Sequence, residues 1–353
     1  MDLESIFSDV KPVAQDDGPV PVVKIDYSED FVRVMGYFRA ILVKEEYSER
    51  TLQLSEEVIE LNAANYSAWQ YRRLCMKKMH EAASQEDRLA AWRRELMYCS
   101  DQCLNNMKNY QVWFHRRCCI ETLHALGAQD EIASELAFIA TVLEDDAKNY
   151  HAWGHRQWVI KTCGLWAGEL TYVDNLLKQD LRNNSAWNQR FFVVSHTADL
   201  SDEAVVAKEV EYAIGYIRQA PNNSSAWAYM KGVIEHKLSW ERFPLVRQTC
   251  EDLCKGAAGA ASSAGASGGG EGAKCVQALG MLAEILEASR DAAERKRARA
   301  CLEELGALDP IRKRYWRWRV GSLDRADAEG TGAKDVSDAA GAPKADAAVA
   351  EIQ

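Results

Sequence analysis

Apolar residues recur along this chain with the period of an α-helix. Leu136, Ile139, Ala140 and Leu143 form one such run, and Val206, Val210, Ala213, Ile214 and Ile217 another, each placing an apolar stripe on an otherwise polar helix. A short polar turn and a second helical run follow each stripe. The second runs share a phrase: "NYSAWQYRR" from Asn65, "NYQVWFHRR" from Asn109, "NYHAWGHRQ" from Asn149, "NNSAWNQRF" from Asn183 and "NSSAWAYMK" from Asn223. Their tryptophans, Trp69, Trp113, Trp153, Trp187 and Trp227, recur at uneven steps, widest between the first two and narrowest between Trp153 and Trp187, all within the period range of a solenoid. Seven positions beyond each lies an apolar residue, Met76, Ile120, Ile160, Val194 or Ile234, on the same helical stripe. The asparagine one turn before each tryptophan is a natural N-cap.

The predicted unit is therefore helix, turn, helix, and neither helix can cover its stripe alone. Neighbouring hairpins must stack, which predicts an all-α superhelical solenoid of tandem helical hairpins, a crescent of the tetratricopeptide-like kind. No strand pattern competes. A degenerate sixth unit is expected at "DPIRKRYWRWR", with Pro310 opening a helix, Trp316 in the tryptophan place, Arg319 one turn beyond it and Leu323 two turns beyond. The repeat domain spans 27–323, interrupted by a Gly, Ala and Ser segment at 255–274 that reads as a flexible insert. Residues 1–26 hold three of the seven prolines and read as an extended or disordered arm, and the Ala, Asp, Gly and Lys-rich stretch 324–353 as a disordered tail.

Composition narrows the function. With 353 residues, 47% of them hydrophobic, the chain can bury a substantial core. Its net charge of -10 argues against broad binding of nucleic acid or anionic membrane. The N-terminus has no charged-then-apolar signal pattern and no run of eighteen apolar residues occurs, so a cytoplasmic protein without a membrane span is expected. Ten cysteines include no CxxC pair, although Cys99 with Cys103 and Cys250 with Cys254 stand at i,i+4. Two thiolates do not make a tetrahedral zinc site, so these read as reduced core residues and no metal is assigned to this chain.

Each tryptophan reads as a seam-filling anchor. The arginines after it, Arg72, Arg73, Arg116, Arg117 and Arg156, read as partners of carboxylates on neighbouring hairpins. The turn before each tryptophan is freer, because residues on the inter-helix edge of a solenoid are displayed rather than packed. There the second unit shows Lys108, Asn109, Tyr110 and Gln111, the third Lys148, Asn149, Tyr150 and His151, and the first Asn65, Tyr66 and Ser67. A cation, phenols, an imidazole and an amide on adjacent edges can form a cradle for an anion.

These residues carry a resemblance. "NAANYSAWQYRR", "KNYQVWFHRR", "DAKNYHAWGHRQWVI" and "VDNLLKQDLRNNSAWNQRFFVVS" resemble the tandem repeats of protein prenyltransferase alpha subunits, nearest to the type shared by farnesyltransferase and type I geranylgeranyltransferase, over roughly residues 15–323. The resemblance implies a heterodimer with a beta subunit that bears the zinc ion and most of the isoprenoid pocket. It implies transfer of a farnesyl or geranylgeranyl group from its diphosphate to the cysteine of a C-terminal CaaX sequence, and it admits a Mg2+ ion with the diphosphate. Carried across, Lys108 matches the lysine that reaches the diphosphate as the carbon–oxygen bond breaks. Tyr150 and His151 match the pair beside it, and Tyr110 a tyrosine at the same mouth. Gln111 matches the glutamine serving the peptide carboxylate, with Asn109 and Tyr66 near the peptide and the interface. Asn184 and Ser224 replace tyrosine in the fourth and fifth units, so those edges are assigned no chemistry.

Two alternatives share the pattern. The Rab geranylgeranyltransferase alpha subunit has the same repeats, but "NYHAW" and "KNYQVW" favour the CaaX type. A non-catalytic tetratricopeptide-like peptide-binding scaffold should repeat at one constant interval, whereas the tryptophans of this chain step unevenly.

Overall fold

The computed structural model describes residues 2–255 and 275–330; the insert expected at 255–274 lies outside the described residues from 256 on, as does the tail from 331 on. The architecture is the predicted all-α solenoid class of tandem hairpins, with no strand among the described residues. The chain divides into two compact units, Met1–Thr197 and Ala198–Gln353.

In the first unit, α1 (Leu3–Ile6) and α2 (Glu29–Lys44) precede four hairpins: α3 (Glu49–Leu61) with α4 (Tyr66–Met79), α5 (Gln85–Asn105) with α6 (Tyr110–Ala125), α7 (Gln129–Asp145) with α8 (Tyr150–Cys163), and α9 (Glu169–Gln179) with α10 (Asn184–Thr197). The second helices lie side by side, α4 against α6, α6 against α8 and α8 against α10. The second unit holds the fifth hairpin, α11 (Glu203–Gln219) with α12 (Ser224–Glu235), followed by α13 (Pro244–Cys254), α14 (Val276–Glu287), α15 (Ala292–Leu308) and α16 (Lys313–Gly330).

The shared phrase explains why each second helix begins where it does. The Asn65, Asn109, Asn149, Asn183 and Asn223 carboxamide oxygens accept backbone N–H bonds from the first turns of α4, α6, α8, α10 and α12. Each tryptophan then turns back under its own cap. Trp69, Trp113, Trp153, Trp187 and Trp227 donate Nε1–H at 2.8–3.0 Å to the carbonyls of Ala63, Met107, Ala147, Leu181 and Pro221, so a large apolar ring is buried with its one polar atom satisfied. The Met107 carbonyl takes a second bond from Asn149 Nδ2, and the Ala147 carbonyl one from Asn183 Nδ2, which ties each turn to the next. Two turns beyond the tryptophans, Met76, Ile120, Ile160, Val194 and Ile234 are all buried.

The N-terminal arm is not wholly extended. Leu3, Phe7 and Val10 are buried in the first unit's core. Phe7 sits 5.6 Å from the Tyr37 ring, and Arg50 lies over it while donating to the Ile6 carbonyl and the Asp9 carboxylate. Three apolar side chains and one arginine clamp are enough to order the start of the chain, whereas 11–26 form no helix or strand. At the other end, Pro310–Arg312 forms a 3-10 turn and α16 starts at Lys313, running on to Gly330 and so past Leu323. Trp316 there donates to the Asp309 side chain, since this unit lacks the asparagine.

None of the ten cysteines is in a disulfide. Burial pushes the Cys99 and Cys119 thiols well above their ordinary range, so they stay protonated and behave as small apolar residues.

Candidate functional site

The displayed turns rest on a buried ionic relay. Arg72 grips Glu95 with two bonds of 2.6 and 2.7 Å, Arg116 grips Glu135 with two of 2.7 Å, and Arg156 grips Glu169 with 2.8 and 2.6 Å. In each case the arginine comes from a second helix and the carboxylate from the first helix of the next hairpin. That hairpin's second helix closes the triad: His115 bonds Glu95 at 2.7 Å, His155 bonds Glu135 at 2.8 Å, and Gln189 donates to Glu169 at 2.8 Å. Burial works to raise Glu95 and Glu135, but their arginines and histidines win and hold both at about 2. Burial dominates the other way at His115 and His155, lowering both. A neutral His115 facing an ionised carboxylate must carry its proton on Nε2, which leaves Nδ1 buried without a partner.

Arg73 and Arg117 depart from the expected pairing. They sit one residue past the gripping arginines, about 100° around the helix, and so miss the carboxylates of the next hairpin. Arg117 bonds Glu121 on its own helix at 3.0 Å and lies 4.8 Å over the Trp158 ring. Arg73 lies 5.0 Å over the Phe114 ring.

Above the relay, the turns before α6 and α8 bring four of the predicted residues together. Tyr110 and Tyr150 are the first residues of these helices and stand 67% and 76% exposed. His151 lies between them, its ring centroid 4.2 Å from Tyr110 and 5.6 Å from Tyr150, edge to face with both. It also hydrogen-bonds the Lys108 backbone, yet burial is the larger influence and lowers its pKa. The Lys108 side chain, 80% exposed, reaches Asp146 across the gap at 3.4 Å. Asp146 is held in turn by the Lys148 N–H at 3.2 Å.

The arrangement suits an anion. Two helices of 16 and 14 residues, capped by Asn109 and Asn149, bring the positive ends of their backbone dipoles to the same edge. Lys108 adds a mobile full charge, and the two phenols with the imidazole add directed donors.

The other predicted residues fall differently. Gln111 is partly exposed on the first turn of α6, next to the group. Asn109 caps α6, its carboxamide oxygen accepting the Gln111 and Val112 N–H bonds. Tyr66 is 71% exposed at the start of α4, with no described contact to the cluster. Among the described residues no group of three or more His, Cys, Asp or Glu side chains could hold a metal ion. Likewise none of their helices is long and apolar enough to cross a membrane.

Residues 48–79, 92–123, 132–163 and 166–197 match the family described as protein prenyltransferase alpha subunit repeat. The chain is 38% identical over 334 residues to the protein farnesyltransferase/geranylgeranyltransferase type-1 subunit alpha of Arabidopsis thaliana, covering 90% of this chain and 94% of that one. It belongs to the protein prenyltransferase alpha-subunit family. The protein of the same description from Dictyostelium discoideum is 43% identical over 233 residues, 65% of this chain and 69% of that one. Among solved structures, a chain of Candida albicans protein geranylgeranyltransferase-I complexed with GGPP superposes with a TM-score of 0.73 at 28% identity, covering 90% of this chain and 98% of that chain.

The four matched prenyltransferase repeats are those of the first unit. The α11–α12 hairpin continues the same construction beyond them, with its Asn223 cap and its Trp227–Pro221 bond. Sequence reasoning overlooked Asp146, the counter-ion of Lys108, and the relay carboxylates. A signal for the latter was present: Glu95, Glu135, Glu169 and Glu209 stand at one constant spacing ahead of Trp113, Trp153, Trp187 and Trp227. Glu209 accepts the Tyr229 hydroxyl, just past Trp227, as Glu95 meets His115 just past Trp113.

Proposed function

We propose that the chain is the alpha subunit of a heterodimeric CaaX protein prenyltransferase of the cytoplasm, and that the Lys108, Tyr110, Tyr150 and His151 cluster serves the isoprenoid diphosphate. The observation that supports this best is the meeting of the Tyr110, Tyr150 and His151 rings at two helix N-termini, with the Lys108 backbone against the imidazole and its side chain free to swing from Asp146, in a member of this family.

As the carbon–oxygen bond to the diphosphate breaks, negative charge grows on the leaving oxygens. Lys108 can leave the solvent-exposed Asp146 contact, a weak tether, for the stronger field of a diphosphate. Tyr150 and Tyr110 hydroxyls can donate to the same oxygens, with the α6 and α8 N-termini behind them. His151 is neutral-leaning in the chain alone, and a diphosphate beside it would draw a proton onto the ring. Gln111 offers an amide N–H to the carboxylate that ends a CaaX peptide without changing protonation, and Tyr66 lies toward the peptide side. Zinc, assigned to the partner beta subunit, would hold the sulfur of the CaaX peptide's cysteine as a thiolate, and a Mg2+ ion would accompany the diphosphate.

Either isoprenoid is compatible with these residues: the relatives' description names both transferases, and the Candida structure holds GGPP. Co-expression with a beta subunit, followed by incubation of a CaaX peptide with farnesyl or geranylgeranyl diphosphate, tests the reading. Mass spectrometry should show a prenylated peptide from the pair and none from this chain alone. Full activity from the isolated chain would overturn the division of labour.

A further inference from the structure

The second helices of the four matched repeats, α4, α6, α8 and α10, contain a single acidic residue between them, Glu121, in a chain whose net charge is -10. Their arginines and lysines fall into two sets. Arg72, Arg116, Arg156 and Arg190 are buried and turned toward carboxylates of first helices. Arg73, Lys77, Lys78, Arg117 and Lys161 lie on other faces of the same helices.

Within that second set Arg73 is unlike the rest. It is partly buried, its Nη1 is shut off from solvent with no hydrogen-bond partner, and no carboxylate pairs with it among the described residues. The titratable groups that bear on it are the thiols of Cys118 and Cys119, both raised by burial and therefore uncharged, and His115, a fellow base, so none of the three offers a counter-charge. Its guanidinium lies over the face of Phe114, which itself remains 49% exposed. Burying a guanidinium without a counter-ion is costly, because the lost hydration is not replaced. Every arginine one position earlier in these repeats avoids that cost with a carboxylate.

We propose that Arg73, seated on Phe114, is an anchor for a carboxylate side chain on the beta subunit, so that an acidic patch of that subunit docks on this face of α4 and α6. The inference rests on the heterodimer reading above. A guanidinium fork pairs two-pronged with a carboxylate, and Lys77 and Arg117, which with Arg73 surround the Cys118 thiol, favour an acidic partner by the same sign. The exposed Phe114 ring supplies the apolar contact that such a charged anchor requires.

The test uses full-length chain and beta subunit, with Arg73→Met and Arg73→Lys variants. The dissociation constant of the pair is measured at low and high salt, and the melting temperature is measured for each chain alone. Arg73→Met should melt no lower than wild type, since it removes an uncompensated charge, yet bind the beta subunit at least about tenfold more weakly with a shallower salt dependence. Arg73→Lys, which keeps the charge but not the fork, should fall between them. Unchanged affinity in Arg73→Met overturns the inference. So does a fall in its own melting temperature that matches the loss of affinity, because Arg73 would then be holding the chain together. A wild-type chain that does not bind the beta subunit overturns the heterodimer reading itself, and this anchor with it.

Discussion

Tyr110 stands edge-on to His151, ring centroids 4.2 Å apart and planes at 87°, although the two belong to successive repeats. The Lys108 backbone also hydrogen-bonds this imidazole. The third repeat's histidine is thus oriented by the second repeat's turn. Because burial is the larger cause of its lowered pKa, uncovering the ring should reverse the shift. Tyr110→Ala should move the His151 titration, followed by NMR, upward toward the ordinary value near 6.5. A curve that does not move would show that Tyr110 is not what shields it.

Lys108→Ala removes a full positive charge beside the cluster. In the reconstituted heterodimer, turnover should drop by about one to three powers of ten, the scale for losing one charge-stabilising donor. Stability should hardly change, because the Asp146 contact it loses is exposed and such pairs contribute about 1 kcal/mol or less. Steady-state rates and melting curves on the same preparations separate the two effects; an unchanged rate removes Lys108 from the chemistry.

How far the sequence disclosed this structure depends on the range of each signal. The caps, the tryptophan anchors and the apolar partners two turns beyond them are local, set by the helical period, and Asn65 through Ile234 fell where that period placed them. The site cluster was readable for the same reason, since Lys108 to Gln111 and Lys148 to His151 occupy equivalent turns. The pairing of charges was harder. "RR" at Arg72–Arg73 and Arg116–Arg117 does not declare which guanidinium turns inward, and the helical rotation of about 100° between neighbours decides it. The relay carboxylates come from a different helix, so their fixed distance to the tryptophan shows only when repeats are aligned on it. Leu3, Phe7 and Val10 were hidden by brevity: one helical turn has no periodicity to read.

Glu135 holds two groups at once, Arg116 through two bonds and His155 through a third. Glu135→Gln keeps the shape but strands a buried guanidinium, and breaking a buried pair in this way costs about 3–5 kcal/mol. Glu121→Gln is the contrast, since its bond to Arg117 is half exposed and should cost less than about 1 kcal/mol. Urea unfolding of both variants checks the difference. Equal, small losses would mean that the relay is not a principal support of the hairpin stack.

The relay also sets how stability answers to pH. His115 and His155 are lowered by burial, so the native chain resists protons that the unfolded chain accepts near pH 6.5. Their contribution is present above that pH and is lost below it, by up to about 1.4 kcal/mol per pH unit for each histidine. Glu95 and Glu135, held at about 2 by arginine and histidine against the opposing effect of burial, contribute above the ordinary carboxylate range and lose that contribution as pH falls toward 2. Both sets act in the same direction, so unfolding free energy should decline from about pH 6.5 downward without an intermediate maximum. The fourth repeat offers a control, because Gln189 meets Glu169 as the histidines meet Glu95 and Glu135, without a titrating ring. A His115→Gln, His155→Gln double variant should therefore flatten the decline between about pH 6.5 and 5 and keep the loss at lower pH. Denaturant titrations across this range read the two segments separately, and an unaltered upper segment in the double variant would assign that acid sensitivity to groups outside the relay.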